Sequence, residues 1–428
     1  MAREFDVVIF GATGVTGRYA VEQMYKASKE EGLSFAVAGR NESKLNEALK
    51  EVAGWLEVDA DNFCRSTPKI IADVEQPKSL REMAKRARII VNTVGPYALY
   101  GEPVVSACVD EGTHHVDVSG EPLYMESMQL KYHQAALDKK IYLVSACGFD
   151  SIPTELLFNY TKESFRGRLN SVETVVSFRS PKGGNVNTGT WNSAIDGVAS
   201  WNQLAPLRKK ITETLFPKSL KKPKFKLEDR KPWATLDSSI SGYILPFPSS
   251  DRSVVIKSEH FRNQTATSDN YQPVQIKCYL RVQSLFAAFC MAMVAGVFFL
   301  MTQFSCGRTL LKRYPAVFSF GVFRKGAPSR EQLLAKSMKV MAVGRGWHSG
   351  DDENSPPQRT ILCEMAGNDP AYIGTSTMLV QSAVCILKDS MAMPLGGGCL
   401  SPGFAFEKTT LLQRLNERKI KFSVVRQS

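Results

Sequence analysis

Three glycines at fixed intervals, Gly11, Gly14 and Gly17, follow directly on the apolar run Asp6-Val7-Val8-Ile9-Phe10 and open a stretch of helical character over 19–29. A strand that ends in a glycine-rich turn and runs into a helix can hold the pyrophosphate of a dinucleotide. Gly11 permits the tight turn, Gly14 lets the backbone approach the phosphates, and Gly17 lets the helix pack close to the strand. Together with Thr13 and Val15, the free N–H groups at the helix start would face the anion. The spacing is G-x-x-G-x-x-G rather than G-x-G-x-x-G, so the strand before and the helix after carry the reading.

The second strand, Ser34-Phe35-Ala36-Val37-Ala38, ends at Gly39-Arg40-Asn41. A carboxylate about 20 residues past the glycines would bond the ribose hydroxyls of NAD. Arg40 stands there instead, 23 residues after Gly17. A guanidinium meets a 2′-phosphate through a charge-assisted bond worth about 1.5–3 kcal/mol, which favours NADP(H) over NAD(H) roughly ten- to a hundredfold. Ser43 and Lys44 are alternative carriers of the same contact.

Further strand ends should bring polar side chains to the same crevice. Arg88-Ile89-Ile90-Val91-Asn92 reads as a buried strand running into the turn Thr93-Val94-Gly95-Pro96-Tyr97. In a doubly wound sheet that turn borders the nicotinamide-side ribose, so Asn92, Gly95 and Pro96 are expected as cofactor wall. The next two strands end near Ser119 and Glu121, and near Cys147 and Asp150. Tyr97, His115 and Asp117 are candidates for the proton donor, each with a structural role as the alternative. Asp150 with Pro153 reads as the opening of a helix rather than an acid. Tyr25 and Lys29 match a Tyr-x-x-x-Lys pair, but they fall at the end of the first helix, far from any strand end where a hydride would move.

The elements that position these groups form an α/β chain of 428 residues, long enough for two or three domains. The expected division is a dinucleotide-binding domain over 1–152, a second mixed α/β domain over 153–390, and a segment over 391–428 that packs back on the first. Nine scattered cysteines without a C-x-x-C pair, and only five histidines, argue against a metal site and a disulfide framework and for a reduced, intracellular protein. The chain opens in a strand at about residue five, so no signal peptide is expected.

The net charge of +12 is uneven. Residues 208–231 hold ten Lys or Arg against Glu213, Glu228 and Asp229. Without interleaved stacking aromatics the tract does not indicate nucleic acid; attraction to anionic headgroups and a solvated linker remain as readings. Residues 285–301, LFAAFCMAMVAGVFFLM, carry no charge. As a helix they would run about 26 Å, slightly short of a ~30 Å hydrocarbon core. A helix embedded in one leaflet, a buried core helix and a spanning helix compete. Spanning would strand the amphipathic tail over 408–418, and the strand after it, across the membrane from the domain they need. Embedding in one leaflet is therefore preferred, a form that also suits the monolayer of a lipid droplet.

The blocks GATGVTG, VAGR, NTVGPYALYGEPVVSACVDEGTHHVDVSGE, GFDSIP and PGFAFEKTTLLQRLNERKIKFSV resemble the saccharopine dehydrogenase-like oxidoreductases over nearly the whole chain. The resemblance implies a Rossmann-type doubly wound parallel sheet, a second mixed α/β domain, and a C-terminal helix and strand returning to the first domain. It also implies association with lipid droplets or membranes, and relatives that include bacterial trans-acting enoyl reductases of lipid synthesis. The expectation is an NADP(H)-dependent oxidoreductase acting on a small, lipid-like molecule at a lipid droplet or the cytosolic face of a membrane. A lipid-surface protein that keeps the nucleotide fold without turnover is the rival, and a saccharopine reductase the third reading. The sequence leaves the oligomeric state open, a homodimer included.

Overall fold

The computed structural model describes residues 3–230, 240, 242–268 and 271–427. Two compact units divide the chain: residues 1–149 with 369–418, and residues 150–368 with 419–428.

In the first unit, strands β1 (Phe5–Phe10), β2 (Phe35–Gly39), β3 (Lys69–Ile71), β4 (Ala87–Asn92), β5 (His114–Asp117) and β6 (Tyr142–Val144) lie in the order 3-2-1-4-5-6. A seventh strand, Gly398–Leu400, adds beside β6, and every pairing is parallel. Val7, Val8 and Ile9 are wholly buried, as are Ile89, Ile90 and Val91. Unbroken apolar runs are what a sheet covered on both faces requires. The order reverses between β1 and β4, so the carboxyl ends of these two strands flank the crevice where such sheets bind ligands.

The second unit is built on a six-stranded mixed sheet. Its order is Lys421–Gln427, Arg359–Gly367, Ser337–His348, Gly167–Arg179, Gln275–Val282, Tyr243–Pro246, with one parallel pair, between Gly167–Arg179 and Gln275–Val282.

Two C-terminal elements fall differently from expectation. The helix Ile373–Lys388, expected in the second domain, packs in the first unit against the helix that follows β1. Fifteen of its sixteen residues are buried, so its apolarity runs all round and carries no stripe to show which partner it covers. The tail divides. Helix Leu411–Glu417 returns to the first unit, where Arg414 and Arg418 pair with Glu31 and Glu30. The strand Lys421–Gln427 instead joins the second unit's sheet, antiparallel to Arg359–Gly367. Alternation shows that a strand has a buried face; it does not say which sheet edge will pair with it.

The apolar segment is helix Leu285–Gln303, long and apolar enough to cross a membrane. It lies in the second unit but is mostly bare: only Ala288 and Thr302 are buried. Phe298 and Met301 pack on a small cluster of Trp191, Ile195 and Leu311. The helix also meets strands Tyr243–Pro246 and Gln275–Val282. The basic tract is partly tied down. Arg230 makes two bonds to the buried Glu173, at 2.8 and 2.7 Å, and Lys277 pairs with Asp229. Lys231, which ends the tract, lies outside the described residues.

Candidate cofactor and active site

The turn after β1 is built by glycine at each place where a side chain would collide. Gly11 has φ +89°, and a Cβ there would stand 2.7 Å from Thr93 Oγ1 and 2.8 Å from Val94 Cγ2. The turns that follow β1 and β4 are thus in direct contact. Thr93 strengthens this by donating both its N–H and its hydroxyl to the Phe10 carbonyl, each at 2.9 Å. A Cβ on Gly17 would be driven into the Gly11 carbonyl oxygen, so helix α1 (Val15–Glu31) can start this close to the strand only with glycine there. Gly14 is the exposed N-cap of α1 and offers no capping side chain.

Helix geometry leaves the first N–H groups of α1 without intrahelical acceptors. No acidic residue stands in its first turn, so the positive end of this helix faces outward with no carboxylate of its own. Thr13 and Val15, on either side of Gly14, are half-exposed. The contrast with helix Tyr97–Glu111 is instructive. There the N–H groups of Tyr97 and Ala98 donate to the Glu121 carboxylate at 3.1 and 2.7 Å. That helix start already holds an internal anion, whereas α1 can take an external one.

Arg40 lies at the end of β2 and is exposed. Among the described residues no carboxylate pairs with it. Asn41 beside it caps helix Glu42–Leu56 by accepting the Lys44 N–H at 2.9 Å, which fixes the backbone that carries the guanidinium. These features, an anion-ready helix start and an unpaired cation at the end of the neighbouring strand, fit a dinucleotide bearing a 2′-phosphate.

The residues after β4 are a shaped ledge. Gly95 is exposed, Pro96 half-buried, and the bond between them cis. Asn92 lies wholly beneath, its Oδ1 accepting the Val94 N–H at 3.0 Å and its Nδ2 3.4 Å from His115 Nε2. Asn92 therefore shapes the ledge that Gly95 and Pro96 present.

Tyr97, His115 and Asp117 converge at the ends of β4 and β5, but all three are interior. The Tyr97 hydroxyl donates to the Asn92 carbonyl at 3.0 Å and accepts the Val118 N–H at 3.4 Å. Burial, with the Asp117 charge nearby, pushes this phenol well above its usual range. His115 is held neutral by burial, its pKa lowered to about 3. Asp117 accepts four bonds: from the Ser119 and Ala146 N–H groups at 3.0 and 3.2 Å, and from the Ser145 and Tyr124 hydroxyls at 2.9 and 3.1 Å. Burial still outweighs these donors and raises its carboxyl to about 6. The network ties β5 to β6 and to helix Pro122–Asp138.

Of the other strand-end residues, Ser119 accepts the Glu121 N–H at 3.1 Å. Cys147 is buried, its thiol pushed well up by desolvation. Asp150 precedes Ser151, the N-cap of helix Ile152–Ser164, and its carbonyl accepts the Ser250 hydroxyl. Sequence reasoning missed Tyr124 and Ser145 as partners of Asp117, and Glu121 as the cap of a neighbouring helix. Polar residues at adjacent strand ends look alike in sequence whether they face a ligand or one another.

In the second unit a concavity of about 640 Å³ is lined by Val175, Phe178, Ile240 and Met338, together with Arg179 and Arg281. Its size is that of a small-molecule site.

Comparison with known proteins agrees with this geometry. Residues 7–144 match the saccharopine dehydrogenase NADP binding domain. A human saccharopine dehydrogenase-like oxidoreductase is 38% identical over 100% of this chain and 98% of its own. A Caenorhabditis elegans lipid droplet localized protein is 35% identical over 96% of each chain. Among solved structures, the apo saccharopine dehydrogenase (L-Glu forming) of Saccharomyces cerevisiae matches with a TM-score of 0.56 at 11% identity, covering 99% of this chain and 100% of that one. The last likeness is one of fold.

Proposed function

The chain belongs to the saccharopine dehydrogenase-like oxidoreductases, and from that premise we propose that it passes hydride between NADP(H) and an apolar, lipid-like substrate at a lipid droplet or membrane surface. The bound nicotinamide would supply the hydride chemistry. The protein's share is to bind, orient and exclude water. Gly11, Thr13, Gly14, Val15 and Gly17 would cradle the pyrophosphate at the start of α1, and Arg40 would take the 2′-phosphate. Gly95 and Pro96, held by Asn92, would wall the nicotinamide side.

One observation carries the substrate class. Helix Leu285–Gln303 leaves Phe286 77% and Leu300 62% exposed, which water does not tolerate over so long a surface. A charged amino-acid adduct has no use for such a helix. Both of its ends rest on elements of the second unit, strands Tyr243–Pro246 and Gln275–Val282 and helices Thr188–Ala199 and Ser305–Arg313. A spanning orientation would draw some of these through the hydrocarbon, so embedding in one leaflet is the form this packing supports. The worm relative's name, lipid droplet localized protein, agrees with that surface.

A second reading has its own support. None of Tyr97, His115 or Asp117 presents a titrating proton to solvent, which suits a lipid-surface protein that binds nucleotide without turnover. The discriminating assay follows NADPH absorbance with the full chain on vesicles that carry long-chain carbonyls or enoyl thioesters. Oxidation of NADPH with these, and no reduction of NADP+ when free saccharopine is the substrate, is the expected result. Turnover of free saccharopine at ordinary enzymatic rates would overturn the substrate class, and bound NADPH without oxidation would favour the second reading.

A further inference from the structure

The apolar helix does not end its surface at Gln303. Phe304 is the one extended residue before helix Ser305–Arg313 begins, and the corner is built to a fixed shape. A Cβ on Gly307 would collide with the Met301 carbonyl, so the second helix closes on the first as only glycine permits. Arg308 donates to the Thr302 carbonyl at 2.8 Å, satisfying an orphan acceptor at the end of the apolar helix. Beneath the corner Leu311, Phe318 and Phe323 share the cluster of Trp191 and Ile195. Residues 304–325 are therefore a firm extension of the apolar helix, not a loose connection.

What this extension shows to solvent is amphipathic. Leu310, Tyr314 and Val317 recur at helical spacing and are 43, 46 and 67% exposed, and Phe320 beyond them is 80% exposed. Arg313, Arg324 and Lys325 are exposed beside them. Among the described residues no carboxylate pairs with these three, whereas Lys312 is matched by Asp196 at 2.7 Å. The charge is also one-sided over a long stretch: residues 271–330 contain eight Lys or Arg and no Asp or Glu. An aromatic-bearing surface whose Arg313, Arg324 and Lys325 have no carboxylate partner among the described residues complements an anionic layer that also accepts apolar groups.

We propose that residues 304–325 form an interfacial foot that seats on anionic phospholipid headgroups. Leu310, Tyr314, Val317 and Phe320 enter the acyl boundary, and Arg313, Arg324 and Lys325 take the phosphates. The foot sets the lipid preference and the depth of the apolar helix beside it. This inference rests on the membrane-surface reading above, and its test separates the two.

The full chain is floated with neutral phosphatidylcholine vesicles and with vesicles containing phosphatidylserine, alongside the variant Arg313→Gln/Arg324→Gln/Lys325→Gln. Each basic residue near an anionic surface contributes about fivefold in partitioning, so the triple variant should bind anionic vesicles about a hundredfold more weakly. Its binding to neutral vesicles and its melting temperature should match the parent. A second variant, Leu310→Ser/Val317→Ser/Phe320→Ser, should partition more weakly than the parent into both kinds of vesicle, the apolar helix keeping the remainder. Equal binding of the parent to neutral and anionic vesicles, or a triple variant that binds anionic vesicles as the parent does, overturns the foot while leaving membrane binding intact. Failure of the parent to bind either vesicle overturns the membrane reading itself.

Discussion

Gly17 lies so close to the carbonyl oxygen of Gly11 that no side chain fits between them: a Cβ on Gly17 would also come within 2.8 Å of Ala12 Cα. The third glycine thus serves the packing of helix on strand, while the second, Gly14, is exposed where the proposed pyrophosphate would lie. Gly17→Ala should destabilise the first unit by about 3 kcal/mol or more, because the obstruction is backbone and cannot swing away. Gly14→Ala should leave the melting temperature within a few degrees and weaken NADPH binding about tenfold or more. Thermal melts paired with NADPH titrations check both, and equal effects of the two variants on stability would contradict the division.

Glu121 provides the internal anion at the start of helix Tyr97–Glu111. In Glu121→Ala the Tyr97 and Ala98 N–H groups lose their acceptor. The expected cost is about 1–3 kcal/mol, read as a melting temperature lower by roughly 2–9 °C. Glu121→Gln keeps one acceptor oxygen and should lose less. The ledge over 93–96 depends on this helix start, so NADPH binding should weaken in parallel.

Acid should unsettle the first unit by way of its histidines. His114 and His115 are held down to about 4 and about 3 by burial, and His114 Nδ1 must stay unprotonated to accept the Tyr142 N–H at 2.9 Å. Depressed folded values mean that the unfolded chain takes up protons first, from about pH 6.5. Their contribution is complete above that pH and is lost as pH falls toward 4 and then 3. Asp117 acts in the opposite sense. Raised to about 6, it contributes stability when protonated and loses it as pH rises through 6. Three lowered histidines, His133 with His114 and His115, against the one raised carboxyl of the first unit leave a net fall in stability from pH 6 to pH 4. In melts across this range His115→Gln should flatten the fall; an unchanged slope would show that His115 does not titrate on unfolding.

The exposed face of the apolar helix should matter to lipid and not to folding. Phe286→Ser with Phe299→Ser and Leu300→Ser changes residues that are 77, 53 and 62% exposed. Each substitution should alter stability by no more than about 0.5 kcal/mol. Flotation with vesicles or an oil emulsion should fall sharply. A variant that floats as well as the parent would show that the helix is not the lipid contact.

Much of the first unit was legible before the fold was known. The run 6–10 and the glycines after it specify strand, turn and helix at once, because period, turn chemistry and helix start agree. That Arg40 stands at the end of the second strand was legible because the apolar run 34–38 ends at Gly39. The C-terminal elements were not. Residues 373–388 are apolar on every side, and the alternation over 420–425 names a face without naming a partner. The polar strand ends misled in another way. Tyr97, His115 and Asp117 have the residue types of an acid–base site, yet their hydrogen-bond partners Asn92, Ser145 and Tyr124 come from three different elements, and only the assembled sheet shows that they face one another rather than solvent. The apolar segment could be read as lipid-facing, but its resting place on Trp191 and Ile195 comes from residues about a hundred positions away.

The most direct test of the account is a titration of the full chain with NADPH and with NADH, repeated on Arg40→Ala. NADPH should bind the parent roughly ten- to a hundredfold more tightly than NADH, and Arg40→Ala should remove that preference while leaving NADH binding where it was. Equal affinities in the parent, or a preference that survives Arg40→Ala, would contradict the placement of the 2′-phosphate. Binding of neither nucleotide would mean that the glycines serve only the fold.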